Sequence, residues 1–143
     1  MLRIRRRDLH EITCHTKMEN PIEACGILAG RATGVDGSPI RDVLKVYQCR
    51  NELGSPTEYR IEPEQQLRIF DEIEGAGLDL IGFYHSHPRG EPRPSNIDRE
   101  RANYVGYSYL IVSLYPVRAS SWFLDEFGFK KEEIQTIPKR VLP

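Results

Sequence analysis

Apolar positions in this chain follow two spacings, one typical of strands and one typical of helices. Short runs that alternate or are wholly apolar predict strands, because side chains on a strand point alternately to its two faces. The predicted strands cover residues 1–5, 24–29, 43–49, 58–61, 78–84, 109–114 and 120–124. A Gly-, Ser- and Pro-rich stretch over 33–39 predicts a turn between the second and third of these strands.

Three segments have the spacing of helices. The first ends before Asn20-Pro21, because a residue that precedes proline disfavours the helical conformation. The second begins at Pro63, which suits the first turn of a helix, and the third covers 95–105. The predicted apolar face is Leu9, Ile12 and Thr16 in the first helix. In the second helix it is Leu67, Phe70 and Ile73, with Ile69 alongside. Alternating strands and helices predict an α/β fold, a mixed sheet flanked by helices, in a single domain over 1–143.

Composition narrows the class of protein. The 143 residues are 39% hydrophobic and 29% charged, with a formal net charge of −1, which is typical of a soluble globular domain. We therefore expect neither a nucleic acid nor a membrane as the main partner. No apolar run approaches the roughly 18 residues that a membrane span needs, and no apolar stretch typical of a signal peptide follows the basic N-terminus. Three widely spaced cysteines favour a reducing compartment, which predicts the cytoplasm.

Two histidines follow the strongly apolar strand predicted over 78–84. His85 and His87 are two residues apart, so they project from the same face and could bind one metal ion. Pro88 cannot continue the hydrogen-bonding ladder and turns the chain away. A single histidine at the end of a strand is usually a polar residue at its rim, but two on one face of a buried strand both require partners.

A carboxylate follows on the third predicted helix. Ser95 and Asp98 form Ser-x-x-Asp, which by itself is typical of a helix capping box worth about 1 kcal/mol. The same Asp98, in the first turn, could also reach back over the end of the strand. Two histidines and one carboxylate leave a fourth position for water, which is the arrangement of a catalytic zinc site. Zinc lowers the pKa of bound water to about 7, so hydroxide is available at neutral pH.

These residues together resemble a known family. His85-Ser86-His87-Pro88 with Ser95 and Asp98 spells His-x-His-x7-Ser-x2-Asp, which is similar to the signature of the JAMM (MPN+) zinc metalloproteases. The family also has a catalytic glutamate on an early strand before a Cys-Gly or similar small pair. Residues 21–30, Pro-Ile-Glu-Ala-Cys-Gly-Ile-Leu-Ala-Gly, resemble that segment and place Glu23 at this position. The resemblance extends to the strand over 109–114 and implies a JAMM/MPN domain with a cytidine-deaminase-like architecture.

The resemblance also implies a role for each residue of the motif. His85, His87 and Asp98 would bind one zinc ion per chain. Glu23 would accept a proton from the zinc-bound water and deliver it to the leaving amine, and partial burial would raise its pKa towards the range that suits both steps. Ser95 would donate a hydrogen bond to the oxyanion of the tetrahedral intermediate.

The family also implies a class of substrate. Its members release ubiquitin-like proteins or cut at their C-termini, and this short chain resembles the compact prokaryotic, Mec+-like members. Those are associated with small ubiquitin-fold sulfur-carrier proteins. We therefore expect a peptidase or isopeptidase that hydrolyses the bond after the C-terminal tail of such a protein. A homodimer is an open alternative to a monomer.

Other functions fit the sequence less well. A scaffold of the wider MPN family would lack one or more ligands, and this chain has all three. The facial triad of non-haem iron oxygenases also uses two histidines and a carboxylate, but it usually places the carboxylate inside a His-x-Asp/Glu pair. A zinc deaminase needs His-x-Glu and Pro-Cys-x-x-Cys, and the sequence contains neither. Among the remaining candidates, Cys25 is expected to be a small buried residue and Trp122 to pack in the core or at a subunit contact.

Overall fold

A computed structural model of the protein describes residues 1–34 and 39–138. The helices are α1 (Arg6–Glu19), α2 (Pro63–Gly75) and α3 (Asn96–Arg101). The strands are β1 (Leu2–Arg5), β2 (Cys25–Thr33), β3 (Ile40–Cys49), β4 (Asp79–His87), β5 (Ser108–Ser113), β6 (Arg118–Asp125), β7 (Gly128–Glu132) and β8 (Ile134–Ile137). The predicted turn over 33–39 lies largely outside the described residues.

All of these strands belong to one mixed sheet in the order β7-β6-β5-β4-β2-β3-β1-β8. The pairs β1–β3, β1–β8 and β4–β5 are parallel, and the remaining pairs are antiparallel. Only Glu133 separates β7 from β8, although these strands are the two ends of the sheet order. The sheet must therefore curl until its two edges meet at this residue, where the Glu133 carbonyl accepts a hydrogen bond from the Leu2 amide at 2.9 Å.

A buried polar cluster ties the curled sheet together. The guanidinium of Arg41 on β3 donates to the Ser108 hydroxyl on β5 at 2.8 Å and forms an ion pair with Glu132 on β7. Ser121 on β6 donates to the same carboxylate at 2.7 Å. Because Arg41 is only 5% exposed, these partners are what compensate for the burial of its charge.

Apolar side chains on the two faces of the sheet form two cores. One core includes Ile12 of α1 with Leu28 and Tyr84, and the other includes Ile69 of α2 with Phe83. Phe83 and Tyr84 are consecutive residues of β4 and belong to opposite cores, as the pleat of a strand requires. The predicted mixed α/β fold with flanking helices is therefore confirmed.

Three details of the prediction are wrong. Residues 58–61 do not form a strand, because they belong to a loop in which only Ile61 bridges to Asn51. The third helix ends at Arg101 rather than at 105, because Ala102 is already extended. Leu67 is 63% exposed, and Ile69 takes its place beside Ile73 on the buried face of α2. Within the described residues, no helix is both long and apolar enough to cross a membrane.

Candidate metal centre

Strand β4 brings the two histidines of the motif to one face of the sheet. The strand continues past the predicted end at 84 as far as His87, pairing with β2 on one side and β5 on the other. Phe83 of the α2-side core points the same way as His85 and His87, because the three residues are two apart. His85 is 2% exposed and His87 is 8% exposed, so neither ring can rely on water for its hydrogen bonds.

The first turn of α3 supplies the carboxylate. Ser95 and Asp98 form a complete capping box: the Asp98 amide donates to the Ser95 hydroxyl at 3.0 Å, and the Ser95 amide donates to Asp98 Oδ2 at 2.9 Å. The same Oδ2 lies 3.1 Å from His85 Nε2 and 3.0 Å from His87 Nε2. The capping and metal-binding interpretations of Asp98 are therefore compatible, because the cap holds the carboxylate over the histidines.

Three potential donor atoms thus converge on one point. The two Nε2 atoms lie 3.1 Å apart, and each is 3.0–3.1 Å from Asp98 Oδ2. Three ligands of a tetrahedral zinc ion, each at about 2.0–2.2 Å, lie about 3.3 Å from one another, so the observed triangle needs only a small expansion. The donor set and its spacing fit zinc.

The hydrogen bond between His87 and the Glu91 carbonyl determines which ring nitrogen carries a proton and which one can bind a metal ion. His87 Nδ1 lies 2.7 Å from the carbonyl oxygen of Glu91, and a carbonyl can only accept, so Nδ1 carries the proton. In the neutral ring Nε2 then presents a lone pair towards Asp98 Oδ2, and the two would repel each other unless a proton or a cation lay between them. The geometry of this cluster therefore calls for a positive charge.

The ionisation of the cluster agrees with this requirement. Burial alone would raise the pKa of Asp98, but hydrogen bonds from His85 and His87 hold it well below its usual range. Burial alone would also lower the pKa of His87, but hydrogen bonds to Asp98 and to the Glu91 carbonyl raise it. His85 is the most enclosed of the three, and burial lowers its pKa. The raised pKa of His87 and the lowered pKa of Asp98 both agree with a positive charge beside the carboxylate.

Glu23 lies beside this cluster at the start of β2. It is 3% exposed, and its carboxylate and the two imidazoles offer atoms that all lie within 4.8 Å of one another. Its Oε1 is buried without a hydrogen-bond partner in the part of the chain that the structure describes. Burial raises the pKa of Glu23 to about 8, which agrees with the direction expected from the sequence.

Ser86, between the two histidines, connects their strand to Glu23. The Ser86 hydroxyl accepts a hydrogen bond from the Ala24 amide at 2.7 Å, and the Ser86 amide donates to the Ala24 carbonyl at 3.0 Å. The residue next to Glu23 is therefore held against the strand that carries His85 and His87. Sequence reasoning passed over Ser86, because its side chain points away from the histidines it separates.

Replacing Ser86 with alanine is expected to lower the free energy of unfolding by about 1–3 kcal/mol, because the buried Ala24 amide loses its acceptor. Ser113 offers a matched control on the neighbouring strand, opposite His87. It is also fully buried, but its hydroxyl has no partner among the described residues, so Ser113→Ala should cost less than about 1 kcal/mol. Urea unfolding of both variants measures the difference, and equal losses would contradict the role given to Ser86.

The loop between β4 and α3 is held at two points. The Glu91 carbonyl contacts His87, as described above, and the indole N–H of Trp122 on β6 donates to the Pro92 carbonyl at 3.1 Å. Trp122 is half-buried, and its contact with this loop was not part of the prediction. By contrast, the buried position predicted for Cys25 is confirmed. Arg93 pairs with the exposed Glu91 side chain at 2.8 Å and belongs to the surface of the loop.

A cavity of about 530 Å³ opens beside the cluster, between α2, α3 and the sheet. Its lining includes the metal-side residues His85 and Asp98 together with Tyr59, Phe83 and Tyr109. The cavity is large enough for part of a peptide, and its lining combines aromatic side chains with polar and charged ones. It lies on the side of His85 that Tyr59 stacks against, with ring centroids 4.5 Å apart.

Comparison with known proteins places this site in a family. Residues 5–125 match the model of the prokaryotic homologs of the JAB domain. A desampylase of Haloferax volcanii is 43% identical over 109 residues, which cover 75% of this chain and 74% of the relative. A CysO-cysteine peptidase of Mycobacterium tuberculosis is 34% identical over 113 residues, which cover 79% of this chain and 73% of the relative.

A solved structure agrees with the fold. The solution structure of a protein from Desulfitobacterium hafniense superposes with a TM-score of 0.85 and is 32% identical, and the match covers 97% of this chain and 94% of that one. Sequence and structure therefore lead to the same family, and the resemblance to JAMM (MPN+) proteins is confirmed. The chain belongs to the prokaryotic homologs of the JAB domain.

Proposed function

We propose that this protein is a zinc-dependent peptidase or isopeptidase that hydrolyses the bond after the C-terminal tail of a small ubiquitin-like protein of the sulfur-carrier type. One observation carries the proposal: His85 Nε2, His87 Nε2 and Asp98 Oδ2 converge within 3.1 Å of one another in a buried site. Two imidazoles and one carboxylate are a ligand set of catalytic zinc sites, which keep a fourth position free.

His85, His87 and Asp98 would hold the ion, one per chain. A zinc ion held there would polarise the scissile carbonyl and would lower the pKa of a water molecule to about 7. The Glu91 carbonyl keeps the proton of His87 on Nδ1, so that Nε2 remains available as a ligand. The capping box keeps Asp98 Oδ2 in place, because the Ser95 amide donates to the same oxygen.

Glu23 is the proposed general base and acid. Its carboxylate is near both histidines but forms no hydrogen bond with either, so it has an oxygen free for a water molecule. It would accept a proton from the attacking water and deliver it to the leaving amine. The raised pKa of Glu23 supports the delivery of the proton, since a carboxylic acid that loses its proton less readily can retain it until the amine departs. A bound divalent cation would oppose part of this rise in pKa.

Ser95 is the proposed oxyanion donor. Its hydroxyl oxygen accepts a hydrogen bond from the Asp98 amide, which leaves the hydroxyl proton free to donate to the carbonyl oxygen of a substrate. The residue is fixed as the N-cap of α3, directly beside the ligand Asp98. A donor held in this way needs little rearrangement as negative charge develops.

The class of substrate rests on the relatives. One is a desampylase, and another is named for the protein CysO and the amino acid cysteine. Each match covers about three quarters of this chain and of the relative, so most of the chain is shared. These names and the implied association of compact JAMM proteins with ubiquitin-fold sulfur carriers support the same substrate class here.

We further propose that the whole of 1–143 is a single domain that works in the cytoplasm. Cys14, Cys25 and Cys49 are free thiols, which supports a reducing compartment. The homodimer that the sequence left open stays a hypothesis. The composition argues against a nucleic acid or a membrane as the main partner.

The experiment is cleavage of a defined conjugate. The zinc-loaded protein is incubated with a ubiquitin-fold sulfur-carrier protein joined at its C-terminus either to an amino acid or to a lysine side chain, and mass spectrometry identifies the products. We expect release of the intact carrier, loss of cleavage after chelation and recovery when zinc is restored. Absence of cleavage of both conjugates by the zinc-loaded protein would overturn the proposal.

A further inference from the structure

The backbone of Glu23 is held by the loop over 51–61, which joins β3 to α2. Glu23 precedes β2, so its peptide groups lie outside the strand pairs of the sheet. Its amide donates to the Ser55 carbonyl at 3.0 Å, and its carbonyl accepts from Asn51 Nδ2 at 3.1 Å. Both backbone groups of the proposed base therefore depend on this loop for their hydrogen bonds.

Asn51 organises the loop with one side chain. Besides the bond to Glu23, its Nδ2 donates to the Glu58 carbonyl at 3.0 Å and lies 3.4 Å from the Ser55 carbonyl. Its Oδ1 accepts from the amides of Leu53 at 3.1 Å and Arg60 at 3.2 Å. A primary amide has two N–H donors and an oxygen that accepts twice, so asparagine meets this set of backbone groups.

The same loop contacts a metal-side residue. Tyr59 lies between Glu58 and Arg60, which are two of the residues whose backbone groups Asn51 binds. Its ring stacks on that of His85 with an interplanar angle of 22°. No side chain among the described residues hydrogen-bonds to His85 Nδ1, so stacking is the contact that orients this end of the ring. The side-chain amide of Asn51 thus connects the backbone of Glu23 to the loop residue Tyr59, which packs against His85.

We propose that Asn51 is a positioning residue for the hydrolysis: it fixes Glu23 relative to the metal centre by tying the Glu23 backbone to the loop that packs on His85. The inference rests on the proposed function, because the role given to Glu23 belongs to it. Among the described residues, the hydrogen bonds of the Asn51 side chain all go to backbone groups, and none goes to the donor atoms or to the Glu23 carboxylate. Its loss should therefore displace the base more than the zinc ligands, because the His87–Glu91 bond and the capping box at Asp98 do not involve Asn51.

Substituting Asn51 in the unaltered protein and in the Glu23→Gln variant tests whether Asn51 acts through Glu23. Asn51→Ala should lower kcat by about 100-fold with little change in KM or zinc content, since a displacement of about 1 Å in a catalytic group costs on that order. In a Glu23→Gln background the same substitution should cost less than about threefold, because residues that act through one group are not additive. An equal fold-loss in both backgrounds, or an unchanged kcat, would overturn the proposal.

Two further variants keep this test decisive. Asn51→Asp retains the acceptor oxygen for Leu53 and Arg60 but loses both N–H donors, so it should reproduce the loss in kcat if the alanine variant fails to fold. Gln48→Ala removes an exposed amide from neighbouring β3 that only reaches Glu11 at 3.4 Å, and its kcat should match that of the unaltered protein.

Amide hydrogen exchange tests the inference without any substrate. In Asn51→Ala the Glu23 amide should exchange about tenfold faster, because its bond to Ser55 is part of the arrangement that is lost. The amide of Ile27, within β2, should exchange at an unchanged rate. Equal exchange at Glu23 in both proteins would overturn the role of Asn51, whereas failure of the unaltered protein to cleave conjugates would count against the proposed function alone.

Discussion

Replacing Glu23 with glutamine is expected to lower kcat by about 100- to 10,000-fold, the usual contribution of general acid–base catalysis. Glutamine has nearly the same size but can neither accept the proton of the attacking water nor deliver one to the leaving amine. Zinc content should not change, because the three proposed ligands come from β4 and α3 and are held by bonds that do not involve the Glu23 side chain. Single-turnover cleavage of a carrier conjugate, with elemental analysis of the same sample, measures both quantities.

The control for this variant is Glu72→Gln, an exposed glutamate on α2, which should cleave at the rate of the unaltered protein. Because the Glu23→Gln protein binds its substrate without cutting it, the immobilised variant should also retain uncut conjugates from a cell extract for mass spectrometry. Cleavage by Glu23→Gln at the unaltered rate would contradict the assignment of Glu23 as the base.

Replacing Asp98 with asparagine is expected to weaken zinc binding by more than about 100-fold, since removal of a group that only hydrogen-bonds to a ligand already costs about 10- to 100-fold. The amide oxygen can still accept from the Ser95 amide, so the helix cap is largely retained and the lost negative charge dominates the effect. Cleavage should fall with zinc occupancy. Competition with a chromogenic chelator measures the affinity directly.

Thermal unfolding gives a second measure of the same change. Zinc at 100 times its dissociation constant should stabilise the unaltered protein by about 2.7 kcal/mol, and the same zinc concentration should stabilise Asp98→Asn by less than about 0.5 kcal/mol. Asp71→Asn, an exposed carboxylate on α2, is the matched control and should respond to zinc as the unaltered protein does. Equal stabilisation of the two variants would show that Asp98 is not a ligand.

The local sequence predicted the centre of the site, because the positions of its side chains follow from the regular geometry of a strand and of a helix N-terminus. His85 and His87 share a face as a consequence of the two-residue period of β4, and Asp98 is held three residues after Ser95 as a consequence of helical capping. Both relations need only neighbouring residues. The resemblance then added Glu23, whose distance of 62 residues from His85 no periodicity spans.

The errors in the prediction share a cause. Residues 58–61 have the composition of a strand, but the amide of Asn51 binds the backbone at Glu58 and Arg60 and holds these residues in a loop. Leu67 has an apolar side chain at helical spacing, but α2 packs on the core through Ile69 and Ile73, which leaves Leu67 exposed. In each case a distant contact outweighed a local preference of about 1 kcal/mol or less.

By itself, the sequence determined the fold class, the pair of histidines, the capped helix that carries Asp98 and the family, because these follow from spacing and motif. Only the tertiary structure decided how the site is held together. The Glu91 carbonyl on His87, Trp122 on the 88–95 loop and Asn51 beneath Glu23 all act through bonds to backbone atoms far away in sequence or to atoms of an irregular loop. Backbone groups are the same at every residue, so the amino-acid sequence does not show which of them a distant side chain will contact. The curled sheet, which brings these segments together, determines those contacts.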